Sequence, residues 1–271
     1  VVEADKLSMV NPTLKRLVSP VLDPIGYALL MSPLADLGLA HRHGPRTERR
    51  VALTFDDGPV LGGTEAVIDV LGEYGVPGTF FCIGANTRQH PEIIRRAYEA
   101  GHVIGGHSMN HGRIQAVLPT DTSHIDGCLA ELRAVLGRTP ALYRPPWGWL
   151  TPWEALRLRR YGLEVIRWDI ETPDSDTPCP DGRAMYEWTL PKVRPGTIIV
   201  CHDGFTHADR YEKPETVRLL RLLIPELQRR GYELVSVPKL LSIHGYQDET
   251  SPATAVTSVA SPRVVRSEES A

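Results

Sequence analysis

Residues 50–59 read RVALTFDDGP. Val51 to Phe55 is a short apolar run that reads as a strand destined to stay buried. It ends on two adjacent carboxylates, Asp56 and Asp57, and then on Gly58 and Pro59, which are turn formers. Like charges side by side are costly when either is drawn into a low-dielectric site. The pair is therefore either a solvated turn or a division of labour beside a cation that offsets the repulsion.

Working outward from this strand, apolar runs and amphipathic segments alternate. TEAVIDVLGEYG (64–75) has Val67, Val70 and Leu71 on one side and Gly75 as a stop, which predicts a helix. Further helices are predicted over HPEIIRRAYEAG (90–101), DGCLAELRAVLG (126–137), WEALRLRRYG (153–162) and PETVRLLRLLIPELQRRG (214–231). Strands fall in PGTFFCIG (77–84), HVIGGH (102–107), ALYRPPWG (141–148), LEVIRWDI (163–170), GTIIVCHDG (196–204) and YELVSV (232–237). This rhythm argues for an α/β protein with a parallel sheet and helices outside it. About seven strands suit a distorted (β/α) barrel better than an open doubly wound sheet.

In such barrels chemistry gathers where strands end. Asp56 and Asp57 follow the first strand, His107 and His111 the third, Arg144 precedes PPWG, Asp174 follows VIRWDI, and His202 ends IIVC. Five strand ends thus deliver a charged or titratable group to one face. If the HSMNH loop turns helically, His107 and His111, four apart, face one side; with one of the two aspartates they make an open metal site. Two solvated loop histidines are the plainer alternative. The other aspartate can act as general base, and His202 can donate a proton to a leaving group. Arg144 can hold a carboxylate or form an ordinary surface pair. Of Trp147, Trp149 and Trp153, only Trp147 is expected to meet substrate; the others read as core or lid.

The bulk properties narrow the classes. The chain has 271 residues, is 42% hydrophobic and 23% charged, and carries a net charge of −3, which leaves no basic footprint for nucleic acid. Cys82, Cys128, Cys179 and Cys201 form no CxxC, so a zinc ribbon or redox motif is not expected, and Cys82 and Cys201 read as buried thiols. The apolar stretch IGYALLMSPLADLGLA (25–40) is cut by Pro33 and Asp36 and is too short to span a membrane; no signal peptide is recognisable. Residues 1–45 read as an N-terminal extension, partly helical, residues 46–245 as the α/β domain, and residues 246–271, rich in Ser, Thr, Pro and Glu, as a disordered tail.

These motifs together resemble the NodB-homology polysaccharide deacetylases, carbohydrate esterase family four, in the family's order from about Arg50 to Leu241. The resemblance implies Asp56 as general base, Asp57, His107 and His111 as metal ligands, and Arg144 as the residue steadying the base. RPPWG carries Trp147 where Tyr is usual, with the backbone N–H at 147 as oxyanion donor. VCH carries Val200 where the family's substrate-pocket Leu stands, and His202 as general acid. ETPDS stands where the family has Asp-x-x-Asp-Trp, so Asp174 would tune the histidine, Asp169 is a weaker candidate for that role, and Ser175 replaces the Trp of the acetyl pocket. The implied activity is metal-dependent removal of acetyl groups from N-acetylglucosamine units of chitin oligomers or peptidoglycan, with zinc as the expected metal and cobalt as the alternative. The alternatives are a small-amide or acetyl-xylan hydrolase of the same fold, or a non-catalytic sugar-binding protein. An extracellular or envelope setting is expected, with a cytoplasmic one as the alternative.

Overall fold

The strand built from RVALTFD lies at the heart of a parallel sheet. The computed structural model describes Ser32 and residues 37–112, 121–205 and 210–248. Its strands are β1 (Ala40–His41), β2 (Arg50–Asp56), β3 (Leu61–Gly62), β4 (Thr79–Cys82), β5 (Val103–Gly106), β6 (Leu142–Tyr143), β7 (Glu164–Ile166), β8 (Ile170–Glu171), β9 (Ile198–His202), β10 (Arg210–Tyr211) and β11 (Glu233–Leu234). Its helices are α1 (Gly63–Tyr74), α2 (Gly84–Gln89), α3 (Pro91–Glu99), α4 (Ser123–Leu136), α5 (Pro152–Arg160), α6 (Gly182–Thr189), α7 (Pro214–Arg229) and α8 (Val237–Leu241). The main sheet runs β1-β7-β6-β5-β4-β2-β9-β8, with β11 pairing onto the start of β2. All its ladders are parallel. Eight strands in sequence therefore form the curled barrel, where the sequence suggested about seven.

The curl follows from connectivity. β7 and β8 lie near opposite ends of the strand order, yet only Arg167, Trp168 and Asp169 separate them. The four steps from Ile166 to Ile170 reach about 14 Å at most, so the two ends of the sheet must come close.

Alternation along β2 sorts its side chains between two cores. Val51, Leu53 and Phe55 pack outward against Val67, Ile68 and Leu71 of α1 and Leu219, Leu220 and Leu223 of α7. Ala52 points inward with Phe81, Leu142, Ile166 and Ile198, and α8 closes this inner cluster with Val237 and Leu240. Thr54 and Asp56 continue the inward row. The upper interior of the barrel is thus polar, and the floor at that end is set by the period of one strand.

Two boundaries differ from the sequence reading. Ala40–His41 pairs with Val165–Ile166, and His43 bridges Thr197, so the sheet begins inside the stretch read as an extension. At the other end Tyr246 is 4% exposed and bridges Pro140, Gln247 N–H donates to Thr139 O (2.9 Å), and Asp248 pairs with Arg138 (2.9 Å). The fold therefore continues past Gly245, because an aromatic ring there completes the packing. The helical piece expected before residue 37 and the tail beyond residue 248 lie outside the described residues.

Candidate active site

Asp56 and Asp57 part company because the backbone turns over between them. Asp56 is the last residue of β2 and keeps its inward direction. Asp57 has φ of 77°, a left-handed conformation that Asp tolerates better than most residues. Its carboxylate therefore leaves the strand on a different heading. The turn is clamped from the next strand. Asp203 N–H donates to Asp56 O (3.1 Å), and Gly58 N–H donates to Asp203 Oδ1 (3.2 Å). A Cβ at Gly58 would lie 2.3 Å from Asp203 Oδ2, and one at Gly204 would lie 2.6 Å from Asp57 O, so both positions require glycine.

Asp56 is 3% exposed and faces Arg144, which is fully buried. Arg144 Nη1 donates to Asp56 Oδ1 (2.7 Å) and to Thr54 Oγ1 (2.8 Å). Nε reaches Ile166 O and Nη2 reaches Arg167 O, both at 3.2 Å, and the guanidinium lies over Phe81, 4.1 Å from its centroid. Arg144 thus works from inside the barrel, not at a surface. Removing one partner of such a pair strands the other charge in the interior, which costs about 3–5 kcal/mol.

Asp57, His107 and His111 converge. His107 Nε2 and His111 Nε2 lie 3.5 and 3.3 Å from Asp57 Oδ1. Among the described residues these three form the one such group, their ligand atoms all within 4.8 Å of one another. The loop does not turn helically as the spacing suggested. Left-handed backbone at Ser108 (φ 64°) and His111 (φ 53°) brings the rings together, with His111 N–H donating to Ser108 Oγ (2.9 Å). His107 Nδ1 lies 2.7 Å from Arg144 O. A carbonyl only accepts, so Nδ1 carries the proton and Nε2 presents its lone pair. Burial alone would push the Asp57 carboxyl up; the imidazoles of His107, His111 and His202 outweigh it and hold it well below the usual carboxylate range. Asp57 Oδ1 is buried and accepts no hydrogen bond. One carboxylate oxygen and two imidazole nitrogens with an orphaned buried oxygen fit a divalent cation that keeps open positions.

His202 ends β9 in register with Asp56, which sets the two side by side. Its Nδ1 meets Asp174 Oδ1 (2.9 Å), and its backbone N–H donates to Asp174 Oδ2 (2.7 Å). Thr172 and Thr216 hydroxyls donate to the same carboxylate, each at 2.9 Å. Burial works against charge on His202, but Asp174 outweighs it and lifts the imidazole to about 9. Asp169 has no part here: it is tied to Arg46 (2.8 Å) and Thr197 (3.0 Å).

A cavity of about 570 Å³ opens over these groups. Asp56, Asp57, His107, His111, Trp147, Asp174 and His202 all line it, and so does Ser175, which stands where the resemblance expected Trp. Trp147 is 42% exposed and packs its ring 5.0 Å from that of His111. Trp149 and Trp153 are not on the wall, and neither is Val200, which is buried within β9. All four cysteines are free; Cys82 and Cys201 are buried, and Cys179 reaches the cavity wall. Sequence reasoning missed several supports. Asp203 reads as turn chemistry in VCHDG. Asn86, whose Nδ2 donates to Asp57 O (2.8 Å), and Lys213, whose Nζ donates to Asp174 O (3.1 Å), carry no motif.

The profile of the polysaccharide deacetylase family matches residues 43–166, which include Asp56, Asp57, His107, His111 and Arg144. The chain is similar to a chitooligosaccharide deacetylase of Bradyrhizobium sp. (strain ANU 289), 35% identical over 202 residues, covering 71% of this chain and 90% of that protein. It is similar to a peptidoglycan-N-acetylglucosamine deacetylase of Bacillus cereus, 30% identical over 217 residues, covering 79% and 98%. Among solved structures, the Bc1960 peptidoglycan N-acetylglucosamine deacetylase, in complex with a naphthalenyl N-oxidanyl-benzamide, matches with a TM-score of 0.71 at 26% identity, covering 76% of this chain and 94% of that one.

Proposed function

The chain belongs to the polysaccharide deacetylase family, carbohydrate esterase family four, and on that premise we propose that it hydrolyses the N-acetyl groups of N-acetylglucosamine units in a chitin-type or peptidoglycan glycan. The observation that supports this most is the division between the two aspartates: Asp57 joins two imidazoles while Asp56 is held apart on Arg144. Asp57, His107 and His111 would hold a divalent cation, zinc or cobalt, which when bound supplies Lewis-acid polarisation of the acetyl carbonyl and of water. Asp56, oriented by Arg144, takes a proton from the attacking water. The backbone N–H of Trp147 donates to the oxygen of the tetrahedral intermediate. His202, held protonated by Asp174, gives its proton to the departing sugar nitrogen. The substrates named for its relatives favour a setting outside the cell or in its envelope.

The test is an activity panel. Acetate release from chitin oligomers, peptidoglycan, acetyl-xylan and small amides is measured before and after chelation. Release from an N-acetylglucosamine glycan, abolished by chelation and restored by zinc or cobalt, is expected. Preference for acetyl-xylan or small amides would give the site to the alternative substrates, and full activity with metal content at nil would remove the metal from the reading.

A further inference from the structure

Two aromatic rings on the cavity wall have no task in the acid–base chemistry. Phe205 is 55% exposed and Tyr211 40% exposed, and they stack on each other with centroids 5.4 Å apart and planes inclined by 25°. Exposed rings held together in a cavity point to a ligand with an apolar face.

The pair is fixed relative to the reacting groups. Asn86, 2% exposed, donates its Nδ2 to Asp57 O and also to Phe205 O (3.4 Å). Lys213, which donates to Asp174 O, has its ammonium 5.3 Å from the Tyr211 ring centroid. Tyr211 also pairs with Gly62 in the small β10–β3 ladder, next to the turn that carries Asp57. One support thus leads to the metal triad, one to the histidine acid and one to the loop between them.

We propose that Phe205 and Tyr211 form a platform for a pyranose ring of the glycan, the unit beside the one losing its acetyl group. A sugar ring with equatorial substituents presents a C–H face that stacks on an aromatic plane without needing charge. Asp176 and Glu212 on the same wall offer acceptors for its hydroxyls. The enzyme would then sense chain length through this pair. The inference rests on the reading of the chain as a glycan deacetylase, so its test keeps the two separable.

The experiment uses the zinc-loaded full chain. kcat/KM for acetate release is measured on N-acetylglucosamine and on its β-linked trimer, and binding of the trimer is measured by calorimetry. The parent is expected to favour the trimer. Phe205→Ala and Tyr211→Ala are each expected to lower the trimer-to-monomer ratio about 2- to 12-fold, the size of one aromatic contact. Phe205→Trp restores the ratio, whereas Phe205→Leu does not. A ratio unchanged in both alanine variants, or a tryptophan variant as poor as alanine, overturns the platform. If no glucosamine glycan loses acetate but the trimer still binds with a dependence on Phe205, the platform stands and the deacetylase reading falls.

Discussion

Asp56 and Asp57 share a peptide bond and little else. One is locked to a buried guanidinium and the other aims at two imidazoles. Asp57→Asn is expected to weaken metal binding and activity together, with excess metal recovering part of the loss. Asp56→Asn keeps shape and ligands but cannot take a proton, so turnover falls by about 10²- to 10⁴-fold while metal affinity holds. A metal titration run beside steady-state kinetics checks both, and equal loss of metal in the two variants would make the pair a joint ligand set. In the proposed reaction His202 sets the alkaline side. Its pKa is lifted from 6.5 to about 9, chiefly by Asp174 against the pull of burial, so the acid is present at neutral pH and is lost as pH rises through about 9. Asp174→Asn removes the anion and should move the alkaline limb of kcat/KM downward; a limb that stays in place identifies another acid. The same pair adds stability that is fully present below about pH 6.5 and fades as pH rises through about 9.

At the scale of elements, what was legible in the sequence was what had a period. α1, α4 and α7 show their apolar stripes, and Gly75 ends α1 in the left-handed conformation. Two-residue strands such as β1 and β8 have no period to read, since their pairing partners lie far away in the chain. α6 was missed although its start is signalled: the Asp181 side chain accepts from the N–H groups of Arg183 and Ala184, at 2.9 and 3.0 Å. Composition put the start of the C-terminal tail at Tyr246, which the fold includes, because one buried tyrosine does not change a composition. Tyr246 lies under the Arg138 guanidinium, 4.2 Å from its centroid, packs edge-on to Tyr98, and accepts the Ile104 N–H (3.3 Å). Tyr246→Ala, or a chain ending at Gly245, is therefore expected to lose about 3 kcal/mol of stability. A chain ending at Asp248 should melt with the parent. Denaturant melts of the three separate these outcomes, and a chain ending at Gly245 that melts with the parent would show the tyrosine contributes nothing.

Across the whole molecule, the motif residues announced themselves, and the framework that aims them did not. Strand ends carrying Asp56, His107, Arg144, Asp174 and His202 are visible in one dimension. Asp203, Asn86 and Lys213 act through contacts between segments that only the folded barrel brings together. The link from β7 to β8 shows the same dependence. Arg167–Asp169 joins the two ends of the sheet, and the carbonyls of Ile166 and Arg167 are acceptors for Arg144. Shutting the ring and setting Arg144 against Asp56 are consequently one event. A ribosome-bound chain cannot acquire hydrolytic competence until this crossing and the later strand β9 have both been laid down. A protease nick between 167 and 169 should silence turnover while the Asp57–His107–His111 group, built from other strands, survives. In a graded urea series, acetate release is expected to fade before the far-ultraviolet helical signal. Coincident loss of the two would mean that the seam opens only when everything else does.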